Sequence, residues 1–223
     1  MKVCALIAAF NEEATIATVV AGVRRHTPDV VVVDDGSSDR TGEQAAAAGA
    51  TVVWHAQNRG KGAAIRTGLA HALAGPHTHV LFIDGDLQHD PGDVPKLLSA
   101  GERTGCDLVI AERLFVKGSM PTARFYSNRI GSRILSRFIG LEVSDSQSGF
   151  RLARADCLRR LRLTATGYEI ETEMLIKLLR RRASLCRISI PARYDGSRSK
   201  LRSVRDTIRT CLMAVWYRYL EDR

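Results

Sequence analysis

A chain of 223 residues with 45% apolar and 26% charged side chains holds enough apolar surface for one core of ordinary size, which excludes a disordered chain and fits one domain better than two. No apolar run approaches the roughly 20 residues of a membrane-spanning helix, and Met1-Lys2-Val3-Cys4-Ala5-Leu6 enters a strand-like segment without the layout of a signal peptide. The net charge of +9 is unevenly spread: residues 1–111 carry 9 Lys+Arg against 13 Asp+Glu, whereas residues 112–223 carry 24 against 11.

The first half reads as alternating strands and helices. Residues 3–9 are an apolar run, after which Asn11-Glu12-Glu13 opens a segment with Ile16, Val19, Val20 and Val23 spaced for one helix face. Residues 30–33 are β-branched and end in Asp34-Asp35-Gly36-Ser37-Ser38-Asp39, and residues 41–48 are Ala-rich and helical. A strand at 51–54, a helix at 62–74, a strand at 79–83, a helix at 94–103 and a strand at 108–111 follow. Apolar strands alternating with helices predict an α/β fold, a mainly parallel sheet covered by helices on both faces. Beyond residue 112 the pattern changes to Arg-studded amphipathic segments at 124–139, 169–182 and 201–220.

In such sheets ligands bind beyond the carboxyl ends of the strands. Three polar clusters fall there: Asn11-Glu12, Asp34-Asp35 and Asp84-Gly85-Asp86-Leu87-Gln88. An isolated D-x-D is commonly a solvated turn. Here a buried strand delivers both carboxylates to the sheet edge, with Gln88 two residues on, and such hard oxygen donors suit Mg²⁺ or Mn²⁺ that also holds substrate phosphates. After the second strand, Ser38 or Asp39 is expected to cap the following helix, leaving Asp35 free to accept hydrogen bonds from a nucleotide base or ribose. Gly60-Lys61-Gly62 is not a phosphate-binding P-loop, because G-x-x-x-x-G-K-[ST] is absent, and no G-x-G-x-x-G follows the first strand. Five cysteines without a C-x-x-C pair predict reduced thiols and neither a disulfide nor a zinc site.

The order of the motifs carries more than any one of them. Ala8-Ala9-Phe10-Asn11-Glu12-Glu13, Val32-Val33-Asp34-Asp35-Gly36-Ser37-Ser38-Asp39-Arg40-Thr41, Asn58-Arg59-Gly60-Lys61-Gly62, Asp84-Gly85-Asp86-Leu87-Gln88-His89 and Asp145-Ser146-Gln147-Ser148-Gly149-Phe150-Arg151 occur in sequence. Together they resemble the inverting family 2 glycosyltransferases of the GT-A (Rossmann-like) fold, and most closely the polyprenyl- or dolichyl-phosphate mannosyltransferase branch, over residues 2 to about 200. The resemblance implies that Ala8, Phe10 and Glu12 meet the nucleotide ribose, that Asp35 meets the base, and that Asp84, Gly85 and Asp86 flank the diphosphate. It places the metal on Asp86 and Gln88, and the acceptor phosphate on Arg113, Arg124 and Asn128. Asp84, Asp86 and Arg113 are the implied catalytic set. Asn128 stands where a serine is usual and Ala8 where a proline is usual. The terminal Gly-x-Ser-Lys motif appears as Gly196-Ser197-Arg198-Ser199-Lys200, which leaves the role of Lys200 open.

The expected organisation is one glycosyltransferase domain over 1–223, with a nucleotide-sugar half at 1–111, an acceptor half at 112–200 and a C-terminal amphipathic helix at 201–223. That last segment is either a helix packed on the sheet or an interfacial helix with Trp216, Tyr217 and Tyr219 at lipid headgroups. The expected activity is transfer of a hexose from GDP-mannose or a UDP-sugar to a polyprenyl phosphate at the cytosolic membrane face, through peripheral contact or a membrane-protein partner, without nucleic acid. Two alternatives stand beside it: a family 2 transferase acting on a saccharide hydroxyl with Asp145 as general base, and a non-catalytic basic scaffold binding nucleic acid or membrane.

Overall fold

The computed structural model describes residues 1–114 and 148–191. In chain order these form β1 (Val3–Ala9), α1 (Ile16–Arg24), β2 (Asp29–Asp34), α2 (Thr41–Ala47), β3 (Thr51–Trp54), α3 (Lys61–Ala74), β4 (His79–Phe82), α4 (Val94–Thr104), β5 (Leu108–Leu114), β6 (Arg151–Arg154), α5 (Ala155–Arg159), α6 (Ile170–Arg180) and β7 (Leu185–Pro191). The strands make one sheet in the order β3-β2-β1-β4-β6-β5-β7. It is parallel throughout except for β6, which runs antiparallel to β4 and to β5.

Period-2 alternation in β1 divides the core in two. Val3, Ala5, Ile7 and Ala9 face a layer built by Ile16, Val19, Val20 and Val23 of α1 and by Val94, Leu97 and Ala100 of α4. Cys4 and Leu6 face the opposite layer, where Ala64, Ile65, Leu69 and Ala72 of α3 meet Ile170, Met174, Leu175 and Leu178 of α6. Both faces of the sheet are thus covered, which is why β1 and the middle of β2 are apolar at successive positions. Complete burial of a side chain such as Leu6 or Val19 contributes about 1.5–3 kcal/mol.

The strand order sets where a ligand can enter. From β1 the chain proceeds outward through β2 to β3, then returns across the sheet to β4 on the other side of β1. The crevice between the carboxyl ends of β1 and β4 is the point of reversal, where open α/β sheets bind their ligands.

The predicted helix at 169–182 is α6. β6, α5 and β7 are not legible in the amphipathic reading of the second half. β6 has only four residues, flanked by arginines, and β7 alternates apolar and polar side chains because it pairs with β5 alone, at the edge of the sheet. β5 extends beyond residue 111 and carries Arg113 in register with Ile190, toward the same carboxyl edge as Asp84. The predicted amphipathic segments at 124–139 and 201–220, together with Arg124, Asn128, Asp145 and Lys200, lie outside the described residues.

Candidate functional site

The loops after β1, β2 and β4 are joined by hydrogen bonds between them. The Asn11 amide donates to Ser37 Oγ (2.9 Å), the Glu12 amide to Thr41 Oγ1 (2.7 Å) and the Ser38 amide to Asn11 Oδ1 (2.8 Å). Thr15 Oγ1 donates to the Gly85 carbonyl (2.7 Å), which ties the start of α1 to the turn after β4. Asn11 and Leu87 adopt φ of 52° and 59°, a left-handed conformation that residues with a Cβ rarely hold unless their surroundings impose it. Ala8 pairs with Val33 one residue before the end of β1, and Phe10 and Glu12 stand half-buried just beyond the strand. The helix start at Thr41 is served by Asp39 rather than Ser38, since Asp39 Oδ1 accepts the Thr41 amide (3.0 Å).

Asp84 and Asp86 leave β4 into different surroundings. Asp84 Oδ1 is 2.6 Å from Lys61 Nζ, and the same ammonium lies 2.6 Å from Glu171 Oε1. Burial alone would lower the Lys61 pKa, but the charges of Asp84 and Glu171 outweigh it and hold the pKa above its ordinary value, so the ammonium stays protonated. Tyr168 adds its ring face at 5.4 Å from Nζ. Asp86, by contrast, is pushed up to about 6, first by burial and then by the charge of Asp84, despite an N–H from Gln88 to its Oδ1 (3.1 Å). Glu12 also raises it, so the acidic loops of β1 and β4 act on each other electrostatically.

The framework behind Asp84 explains two glycines. A Cβ on Gly149 would lie 2.3 Å from Asp84 Oδ2, so only glycine lets the segment entering β6 pass the carboxylate this closely. Gly62 donates its N–H to the Thr166 carbonyl (2.8 Å), and a Cβ there would lie 2.3 Å from the Ala165 carbonyl oxygen. That connection is held in turn by buried Glu173, which accepts the amides of Thr164 (2.9 Å) and Ala165 (2.8 Å). Arg151, 1% exposed, donates Nε–H to the Ser148 carbonyl (2.7 Å) and Nη1–H to the Glu171 carbonyl (2.6 Å), which fixes the first turn of α6 and with it Glu171. Beneath Lys61, Asp84, Gly149 and Glu171 lies a cavity of about 10 Å³, the size of one water.

Of the residues implied by sequence, the structure brings Ala8, Phe10, Glu12, Asp84, Gly85, Asp86 and Gln88 to the β1/β4 crevice. Arg113 is placed by its backbone on β5, and its side chain is outside the described part. Asp35 is not the unpartnered carboxylate that the sequence suggests: it is 3% exposed, and its carboxylate already accepts from His55 Nδ1 (2.6 Å), the Arg59 amide (3.0 Å) and the Gly60 amide (2.8 Å). These donors lie 20 or more residues away, past β3, and a helix-cap rule cannot foresee them. Lys61 stands in a motif to which the sequence gives no role, and Glu171 lies outside every motif; both are functional candidates on the structure. For Glu171 a signal exists: it falls on the apolar face of α6 with Met174, Leu175 and Leu178, and a carboxylate buried at such a position needs a partner.

A divalent cation fits this donor set. No group of three or more His, Cys, Asp and Glu side chains suited to a metal occurs among the described residues, but Mg²⁺ and Mn²⁺ sites commonly use one or two carboxylates and let substrate phosphates complete the shell. Asp86 supplies a carboxylate whose charge is raised in energy by its neighbours, and a cation relieves that repulsion. Lys61 meanwhile compensates Asp84.

Comparison with known proteins follows the same lines. The family model for glycosyl transferase family 2 matches residues 4–162. "Glycosyltransferase AglJ" of Haloferax volcanii is 35% identical over 211 residues, covering 92% of this chain and 68% of that protein. The undecaprenyl-phosphate mannosyltransferase of Micrococcus luteus is 33% identical over 193 residues, covering 81% and 79%. Among solved structures, glucosyl-3-phosphoglycerate synthase from Mycobacterium tuberculosis in complex with Mn²⁺ and UDP-glucose superposes with a TM-score of 0.77 at 26% identity, covering 97% of this chain and 78% of that one.

Proposed function

The chain belongs to glycosyl transferase family 2, and from that premise we propose that it moves a hexose from a nucleotide sugar, GDP-mannose or a UDP-sugar, to a polyprenyl phosphate at the cytosolic face of a membrane. The observation that carries this reading is the convergence of Glu12, Asp84 and Asp86 on the β1/β4 crevice, with Lys61 compensating one carboxylate of the pair. A site of this kind suits a diphosphate that arrives with its own cation.

In the proposed donor complex Ala8, Phe10 and Glu12 meet the ribose, Asp35 meets the base through what remains of its acceptor capacity, and Asp84 and Gly85 flank the diphosphate. Asp86 and Gln88 hold Mg²⁺ or Mn²⁺, which supplies positive charge against that building on the departing diphosphate. The acceptor needs little from a general base, because a lipid phosphate is already anionic near neutral pH. Its oxygen forms the new bond to the anomeric carbon as the bond to the nucleoside diphosphate breaks, with inversion. What the protein must provide is alignment, and Arg113, Arg124 and Asn128 are assigned to it, Arg113 from the end of β5. The excess of Arg in the second half and the likeness to an undecaprenyl-phosphate mannosyltransferase support a lipid phosphate. No helix among the described residues is long and apolar enough to cross a membrane; the proposed approach to lipid is peripheral or through a membrane partner.

The likeness to glucosyl-3-phosphoglycerate synthase favours a second reading, in which the acceptor is a hydroxyl and a carboxylate such as Asp145 removes its proton. Incubation with Mn²⁺ and sugar nucleotides, against a short-chain polyprenyl phosphate and against soluble hydroxyl acceptors, separates the two. The lipid reading expects product on the polyprenyl phosphate, and product only on a hydroxyl overturns it. Arg113→Ala and Arg124→Ala are expected to weaken acceptor affinity or transfer by roughly tenfold to a hundredfold while leaving nucleotide affinity and melting temperature unchanged.

A further inference from the structure

A continuous chain of side chains connects α3 to the tip of β2. Thr67 Oγ1 lies 3.0 Å from His55 Nε2, and His55 Nδ1 lies 2.6 Å from Asp35 Oδ1. The side chains of His55 and Asp35 are each 4% exposed. A carboxylate facing an N–H partner only accepts, so the proton of this pair sits on Nδ1 and His55 is the donor. The Arg59 amide fills a second position on Oδ1 and the Gly60 amide one on Oδ2, so three of about four acceptor positions on the carboxylate are taken. His55 is placed for this by its own backbone, whose N–H donates to the Asp34 carbonyl (2.9 Å).

We propose that His55, backed by Thr67, is the positioning residue of the nucleotide-base site: it holds Asp35 Oδ1 so that the last acceptor position on Oδ2 is aimed at a ring N–H of the base. The inference rests on the reading of Asp35 as a base contact. It names the class of donor by chemistry. Uracil, thymine and guanine each present a ring N–H on their pairing edge, whereas adenine and cytosine present an acceptor nitrogen there and meet the carboxylate with lone pair against lone pair. A carboxylate turned by the loss of its histidine would discriminate less, and it would do so without affecting the transfer step. His55 therefore touches neither sugar nor diphosphate and acts through Asp35 alone.

The test measures binding of UDP, GDP, ADP and CDP with Mn²⁺, together with donor KM, kcat and melting temperature, on the full chain and on four variants. His55→Leu is expected to weaken UDP or GDP binding about tenfold, to leave the weak ADP and CDP binding as it was, and to keep kcat at saturating donor within about twofold. His55→Asn, whose amide N–H can reach the position of Nδ1, should restore most of the discrimination. Thr67→Val removes only the hydroxyl behind the ring and should weaken UDP or GDP binding roughly threefold; it decides the matter if the leucine variant does not fold. Equal weakening for all four nucleotides, in step with a fall in melting temperature and without rescue by asparagine, overturns the inference and leaves His55 a packing residue. Asp35→Asn separates the two levels. If it retains full discrimination, Asp35 does not read the base and the underlying assignment fails. If it loses discrimination while His55→Leu and Thr67→Val keep it, the assignment stands and the role given to His55 fails.

Discussion

The tips of β2 and β4 start from similar sequence, Asp34-Asp35 and Asp84-Gly85-Asp86, and reach opposite electrostatic ends. At β2, Asp34 and Asp35 are 2% and 3% exposed, and their carboxylates are satisfied by N–H groups: Ser37 on Asp34 (2.8 Å), and His55, Arg59 and Gly60 on Asp35. At β4, Asp84 is paired with Lys61 while Asp86 is pushed up to about 6 by burial and by Asp84. Hydrogen bonds to a charged carboxylate stabilise it, whereas burial beside a like charge does the reverse. One acidic tip is therefore a brace that shapes a loop, and the other stores charge that a bound cation can relieve.

The largest expected effect is Asp86→Ala, which should lower metal-dependent turnover on the order of a thousandfold while leaving the melting temperature unchanged or slightly raised, because removing this carboxylate also removes its repulsion with Asp84. Turnover and thermal unfolding on one preparation check both parts. Asp35→Ala should show the reverse balance: a loss of about 3 kcal/mol in denaturant unfolding, since it strands His55 and two amides in a buried place. If both variants lose stability equally, the contrast between the tips is broken.

Much of this contrast was beyond the reach of sequence, and the reason is spatial. The strands and helices up to residue 111 follow from apolar runs and 3.6-residue spacing, and the acidic clusters sit at strand ends as those runs dictate. What β2 and β4 do with their carboxylates depends on partners from other elements: His55 beyond β3, Lys61 at the start of α3, Glu171 on α6. Only Glu171 leaves a local trace, as a charge on the apolar side of its helix. β6 escaped because four residues bounded by arginines give no period to read, and its buried Arg151 mimics a surface position until its acceptors, the carbonyls of Ser148 and Glu171, are known.

Lys61→Met sharpens the account of the β4 tip. It leaves Asp84 and Glu171 without the ammonium that sits 2.6 Å from each, and should cost about 2 kcal/mol of stability, with Glu171→Gln costing less because Asp84 keeps its partner. Urea denaturation of the two variants gives the order, and a more stable Lys61→Met protein would contradict it. The smallest effect is expected at Gln88, where alanine removes a neutral oxygen donor: metal affinity should fall roughly tenfold with turnover at saturating Mn²⁺ largely retained, as a titration of activity against Mn²⁺ would read.

The central claim is that Asp86 and a nucleoside diphosphate together complete a cation site at the β1/β4 crevice. Calorimetric titration of Mn²⁺ into the protein, with and without UDP or GDP, tests it directly when repeated on Asp86→Ala. The account predicts weak Mn²⁺ binding to the protein alone, tight binding in the presence of the diphosphate, and loss of that gain in Asp86→Ala at unchanged melting temperature. The same diphosphate-dependent Mn²⁺ affinity in both proteins would contradict it.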